Sequence, residues 1–210
     1  MAPMTYPQQR EDGSGLPVVL PDAAIAAWLH PTSRAYLQRR GLSQEESEQY
    51  ELAYADVGIW RERVIIPMYR GDALVAFQGR HIQDDHPVRY LTRGERPLYR
   101  PWDALDESRE LCVVEGPFDL MAVQRVCPAI AILGNQISRW QWQDLVQLVR
   151  NLQPRKAWIW FDQEALTEAY ALQIRLAPYV RTSVIGDPPR KDPGMLVDPA
   201  EIQAVFDYHA

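Results

Sequence analysis

The stretch Val113-Val114-Glu115-Gly116-Pro117-Phe118-Asp119 decides how this chain folds, and Trp158-Ile159-Trp160-Phe161-Asp162-Gln163-Glu164 repeats its logic. Each is an apolar run that stops abruptly at a carboxylate and leads into a segment of helical pattern. In an open α/β sheet the carboxyl ends of the strands lie along one edge, and ligands bind there. Two such strands bring Glu115, Asp162 and Glu164 into one crevice. Crowded carboxylates repel and raise one another's pKa unless a cation neutralises them. The pattern therefore predicts a divalent-metal site, suited to Mg²⁺ with its preference for hard oxygen ligands.

Taken singly, these acids carry little. A glutamate before a glycine is an ordinary solvated loop residue, and Asp162 is well placed to be a helix N-cap. Their coincidence at two strand ends is the signal. Asp162 and Glu164 are two residues apart, so an extended strand end would turn both to one side. Asp192, in Pro188-Pro189-Arg190-Lys191-Asp192-Pro193, follows the next strand at the same edge, stiffened by its prolines.

Working outward, strands and helices alternate from residue 111 onward. The strands are expected at 111–115, 129–133, 157–162 and 180–185, and the helices near 118–127, 138–152 and 164–177, with a last helix at 198–208. Such alternation predicts a parallel sheet covered on both faces. The first half has a different texture. Residues 22–55 read as three helices: one opened by Pro21-Asp22, one over 33–40 ended by Gly41, and one capped by Ser43-Gln44-Glu45-Glu46. Period-two stretches at 64–69 and 73–77, joined by Arg70-Gly71-Asp72, predict a hairpin. Residues 79–101 read as loop. The expected organisation is a flexible tail (1–20), a mixed α+β lobe (21–108) and an α/β unit (109–210), the two lobes sharing an interface.

Composition is that of an ordinary globular protein, 47% hydrophobic and 24% charged. No apolar run approaches the ~20 residues that span a bilayer, and Met1 to Arg10 lacks a secretory signal pattern, so a cytoplasmic protein without a membrane partner is expected. Cys112 and Cys127 form no Cys-x-x-Cys pair, and with four scattered histidines no zinc spacing exists. A net charge of −6 argues against nonspecific coating of nucleic acid. The charge is nevertheless uneven: Arg61, Arg63, Arg70, Arg80, Arg89, Arg93, Arg96 and Arg100 crowd one segment, interleaved with Tyr90, Tyr99 and Trp102. Guanidinium groups bind phosphate oxygens bidentately, and rings among them suit single-stranded bases.

These motifs resemble a known family. Val113-Val114-Glu115-Gly116-x-x-Asp119 is similar to the first motif of TOPRIM domains, Phe161-Asp162-Gln163-Glu164 to their Asp-x-Asp motif, and Lys191-Asp192-Pro193 to the Lys-Asp-Pro of primases. In the first half, Tyr36-Leu37-x-Arg39-Arg40-Gly41-Leu42-Ser43, Arg63-Val64-Ile65-Ile66-Pro67, Gly79-Arg80 and Arg89-Tyr90-Leu91-Thr92 are similar to the polymerase core of bacterial DnaG-type primases, as is Leu133-Gly134-Asn135-Gln136-Ile137-Ser138 to their Leu-Gly-Thr segment. The resemblance covers residues 25 to 197. It implies a TOPRIM Rossmann-like parallel sheet with an N-terminal mixed α+β lobe, and synthesis of short RNA primers on single-stranded DNA from NTPs. It also implies Mg²⁺ or Mn²⁺ held by Glu115, Asp162 and Glu164 with Asp119 and Asp192 in support, and nucleotide or template contacts from Arg63, Arg80, Arg89, Arg100 and Lys191.

The sequence departs from the family in three places. Glu164 lengthens the last acid of the Asp-x-Asp motif, Leu166-Thr167 replaces the usual Ala-Gly, and Arg89 stands where lysine is typical. Counterparts of the family's zinc-binding and helicase-interaction domains are not expected in this chain. No zinc is expected in this chain, and a zinc-finger subunit and a replicative helicase are expected as separate partners. Two other readings use the same residues: a TOPRIM nuclease, and a non-catalytic nucleic-acid-binding replisome subunit.

Overall fold

The structure is a computed structural model that describes residues 17–100, 110–186 and 193–210. Its first half is an antiparallel sheet of β1 (Ile25–Ala26), β2 (Ala53–Ala55), β3 (Arg63–Arg70), β4 (Ala73–His81) and β5 (Tyr90–Gly94), ordered as numbered. Between β1 and β2 lie α1 (Pro31–Arg39) and α2 (Gln44–Gln49). The second half is a parallel sheet of β6 (Glu110–Val114), β7 (Ala129–Ala131), β8 (Lys156–Trp160) and β9 (Thr182–Val184) in the order β7-β6-β8-β9. The helices α3 (Pro117–Val123), α4 (Arg139–Leu152) and α5 (Leu166–Leu176) connect these strands, and α6 (Pro199–His209) ends the chain.

Local chemistry starts several of these helices. Ser43 and Ser138 each close a capping box, with Glu46 and Gln141 respectively, and so satisfy backbone N–H groups that open α2 and α4. At α1, His30 stands at the N-cap without a side-chain bond, and Pro31 at the first helical position supplies a backbone already set for the helix.

Alternation along the parallel strands divides the core. Leu111, Val113, Ala157 and Ile159 point to one face and pack with Leu145, Leu148 and Val149 of α4 and Leu172 and Leu176 of α5. Cys112, Val114, Trp158 and Trp160 point to the other, where they join Phe118, Leu120 and Met121 of α3 and Phe206 of α6. That second cluster continues into the first half through Tyr36, Leu37, Tyr54, Ile66 and Met68. The two sheets thus share one core, as expected of lobes with a common interface. Polar ties reinforce it: the Arg125 guanidinium, past the end of α3, donates to Glu46 Oε1 at 2.8 Å, to the Gly41 carbonyl and to the Val197 carbonyl. Tyr99 pairs with Ala131 through both backbone bonds, so a segment leaving the antiparallel lobe covers the β7 edge of the parallel sheet.

Three expectations change. The helix expected from Pro21 to Leu29 is instead β1 followed by a 3-10 turn at Ala27–Leu29, and Ala53–Ala55 is a strand rather than helix. The apolar cluster at 26–29 is too short to carry helical periodicity, and the pairing of β2 with β3 overrides local preference. The segment read as loop from 79 contains the end of β4 and all of β5. Strand β5 is an edge strand with Arg93 exposed and no apolar alternation, which hides it in sequence. Val18 and Leu20, in the segment read as a tail, pack against the cluster of Ile65 and Phe77. Residues 1–16, Trp102 and the lobe boundary at 103–109 lie outside the described residues. Among the described residues, no helix is long and apolar enough to cross a membrane.

Gly94 shows how tightly β5 is seated. Its φ is +85°, and a Cβ there would collide with the Val75 carbonyl oxygen and lie 2.9 Å from Ala76 Cα. Both the backbone conformation and the space exclude a side chain. Gly94→Ala is expected to cost about 2 kcal/mol, read as a lowered midpoint in thermal unfolding.

Candidate functional site

Strand β6 connects outward to β7, and β8 connects outward to β9 in the opposite direction, so the chain reverses its winding between β6 and β8. A crevice opens at such a point, at the carboxyl ends of the two strands. Glu115 follows β6 and Asp162 follows β8. The Asp162 backbone N–H donates to Glu115 Oε1 at 2.8 Å. The Glu115 side chain therefore reaches across to the Asp162 backbone.

Asp162 occupies the N-cap position of the 3-10 turn Gln163–Ala165, but its side chain makes no capping bond. The turn closes through Ala165 N–H to the Asp162 carbonyl, 2.9 Å. Glu164 is consequently exposed on a turn rather than on an extended strand end, so the two-residue spacing does not by itself align it with Asp162. Asp119 is buried in the first turn of α3. Its Oδ2 accepts the Gly116 N–H at 2.8 Å and its Oδ1 accepts the Gly194 N–H at 3.1 Å. It braces the turn after Glu115 and ties it to the 3-10 turn Pro193–Met195. Asp192 and Lys191 lie outside the described residues. Among the described residues, no three His, Cys, Asp or Glu side chains are grouped closely enough to hold a metal. The donor chemistry of Glu115 and Asp162, two hard carboxylates at one crevice, nonetheless suits Mg²⁺, which keeps waters and shares its shell with substrate phosphates.

The antiparallel lobe reaches this edge through β5. The Tyr90 hydroxyl lies near Gly116, 3.7 Å from where a Cβ would stand, and burial pushes its pKa upward against the opposing pull of Arg80. Arg80 stacks on the Tyr90 ring at 4.9 Å, donates to the Tyr36 hydroxyl at 3.1 Å and pairs with Asp84. Arg40, which the sequence did not single out as a site residue, joins Asp84 at 2.9 Å and lies over the Phe118 ring at 5.6 Å. Its sequence signal was its place in the Tyr36–Ser43 stretch that resembles primase cores.

Asp84 thus holds two buried guanidinium groups. Burial raises its pKa, but Arg40 and Arg80 outweigh that and hold it below the ordinary 3.8. A carboxyl with a depressed folded-state pKa contributes stability above its unfolded value and loses it as pH falls through the folded value. Asp84→Asn is therefore expected to destabilise the protein at neutral pH and to reduce the loss of stability below about pH 3.8, the unfolded value, measured by urea unfolding across an acid series.

The other arginines separate into distinct environments. Arg63 is buried, and its guanidinium donates to the carbonyls of Gly79 (3.2 Å), Arg89 (3.1 Å) and Val88 (2.9 Å). It anchors the β4–β5 connection rather than presenting donors to a ligand. Arg100 and Arg70 both lie near Asp144 of α4. Arg89 is exposed just before β5. Arg96 is exposed and donates to the Leu133 carbonyl at 3.3 Å, next to the backbone that bonds the Glu115 carbonyl. Cys112 and Cys127 are buried free thiols, and burial pushes the Cys127 pKa up to about 12.

This arrangement, a four-stranded parallel sheet with carboxylates at its winding reversal and an antiparallel lobe over the same edge, is similar to that of a solved primase. A solved structure of the zinc-binding and RNA polymerase domains of the Aquifex aeolicus primase superposes with a TM-score of 0.64 at 17% identity, covering 88% of this chain and 57% of that one. The sequence is similar to a DNA primase of Halalkalibacterium halodurans, with 26% identity over an alignment of 156 residues and coverage of 51% of this chain and 26% of that protein. The chain therefore spans about a quarter of that relative's length. No family model matches the sequence. In both sequence and fold the chain is therefore similar to DNA primases.

Proposed function

We propose that this chain is the catalytic core of a DNA primase, joining ribonucleotides into short primers on a single-stranded DNA template. The observation that carries the reading is the hydrogen bond from the Asp162 N–H to Glu115 Oε1 at the winding reversal of a TOPRIM-like sheet, in a chain similar to a primase. Glu115, Asp162 and Glu164 would hold Mg²⁺ or Mn²⁺, with Asp192 in support. When bound, such ions neutralise phosphate charge and lower the pKa of the attacking 3′-hydroxyl.

The chain's own residues orient that chemistry. The Asp162 N–H fixes one oxygen of Glu115, and Asp119 fixes the turn behind it. Arg89, Arg96 and Lys191 supply guanidinium and ammonium groups for the triphosphate or template backbone, while Arg80 and Arg63 hold β4 and β5 in place. The primer's 3′-oxygen forms a bond to the α-phosphorus as pyrophosphate leaves. In this reading the protein works in the cytoplasm with a zinc-finger subunit and a replicative helicase as separate partners.

Incubation with labelled single-stranded DNA, NTPs and Mg²⁺ tests the reading. Primer synthesis yields new RNA products that lengthen with time. Shortened DNA without new RNA would instead identify a nuclease, and neither product would leave a binding subunit.

A further inference from the structure

A ladder of arginine and aromatic side chains lies on the α4–α5 side of the parallel sheet, opposite the face that shares its core with the antiparallel lobe. Arg175 stacks over Trp142 at 4.3 Å, Trp142 meets Tyr179 edge-on at 6.0 Å, and Arg150 stacks over Tyr179 at 5.3 Å. Trp142 is partly buried against the core of α4 and α5, which fixes the ladder in place. Tyr179 is 41% exposed. Among the described residues, neither Arg150 nor Arg175 makes a hydrogen bond or an ion pair. A guanidinium lying on a ring keeps its in-plane N–H donors available while its orientation is restricted in advance.

The charge around the ladder reverses that of the whole molecule. Arg139, Arg150, Arg155, Arg175 and Arg181, in and between these elements, are all exposed in a chain of net charge −6. Of the acids on α4 and α5, Asp144 has Arg70 and Arg100 as its neighbours, leaving Glu168. Trp142 and Tyr179 separate two of the guanidinium groups, a combination that tracks a phosphate backbone and stacks bases at once.

We infer that the α4–α5 face binds single-stranded nucleic acid, as a contact separate from the carboxylate edge. Its function is to hold a strand by backbone charge and ring stacking, without sequence readout. The experiment is fluorescence anisotropy with a labelled oligothymidylate of about 30 nucleotides, long enough to cover more than one single-strand site, in EDTA over a series of salt concentrations, using the full chain. Arg150→Glu/Arg175→Glu is expected to weaken binding about tenfold and to reduce the salt slope by about 1.4, at roughly 0.7 for each single-strand phosphate no longer neutralised. Arg150→Gln/Arg175→Gln guards against a folding defect and should reduce the slope similarly, with an unchanged thermal midpoint. Unchanged affinity and slope in both variants would overturn the inference, as would absence of binding by the wild-type protein. Primer synthesis plays no part in this readout, so its absence would count against the catalytic reading alone.

Discussion

Glu115→Gln and Asp162→Asn should each lower the initial rate of primer synthesis by about 10³-fold while leaving the thermal midpoint nearly unchanged. Ions at such a site contribute several kcal/mol of charge stabilisation to a phosphoryl transition state, and each ~1.36 kcal/mol is about tenfold in rate. The fold should tolerate both changes. The amide oxygen of the Glu115→Gln variant still accepts the Asp162 N–H, and Asp162 makes no capping bond with its side chain. The decisive measurement is incorporation of labelled NTP at saturating Mg²⁺, with unfolding followed in parallel. A folded variant with wild-type rate removes the carboxylates from the reaction.

Arg63→Leu should do the reverse: a large loss of stability with catalysis affected only through it. The guanidinium satisfies the Gly79, Val88 and Arg89 carbonyls in the connection between β4 and β5. Hydrogen bonds from a charged donor contribute about 1.5–3 kcal/mol each; the Arg89 carbonyl keeps the His81 N–H as a second donor, so a net loss of about 3 kcal/mol is expected. For a chain of this size that corresponds to a drop of about 6–12 °C in Tm. If Arg63 instead contacted phosphate, the midpoint would stay and the KM for NTP would rise. Calorimetry with steady-state kinetics on one preparation separates the two.

The parallel half was legible because its strands are buried on both faces. Continuous apolar runs at 111–114 and 157–161 leave little alternative to central strands, and the helix expected near 138–152 is α4. The antiparallel half was legible only where it alternates or caps, as at β3 and Ser43. Strands β1, β2 and β5 are short or at edges, so pairing partners far along the chain decide them. Arginine roles were the least legible. Arg63, Arg80 and Arg89 have similar local sequence surroundings, yet two are buried and one is exposed.

The sequence by itself determined which carboxylates end the strands, since an abrupt change from apolar to acidic residues is a local property of solvation. It also determined the class of sheet, through the periodicity of burial. Only tertiary structure decided that Glu115 and Asp162 touch, that Asp119 braces backbone, and that Arg63 and Arg80 are spent inside the protein. Those outcomes depend on strand order and on how two sheets share a core, and a bond between residues 47 positions apart leaves no local trace.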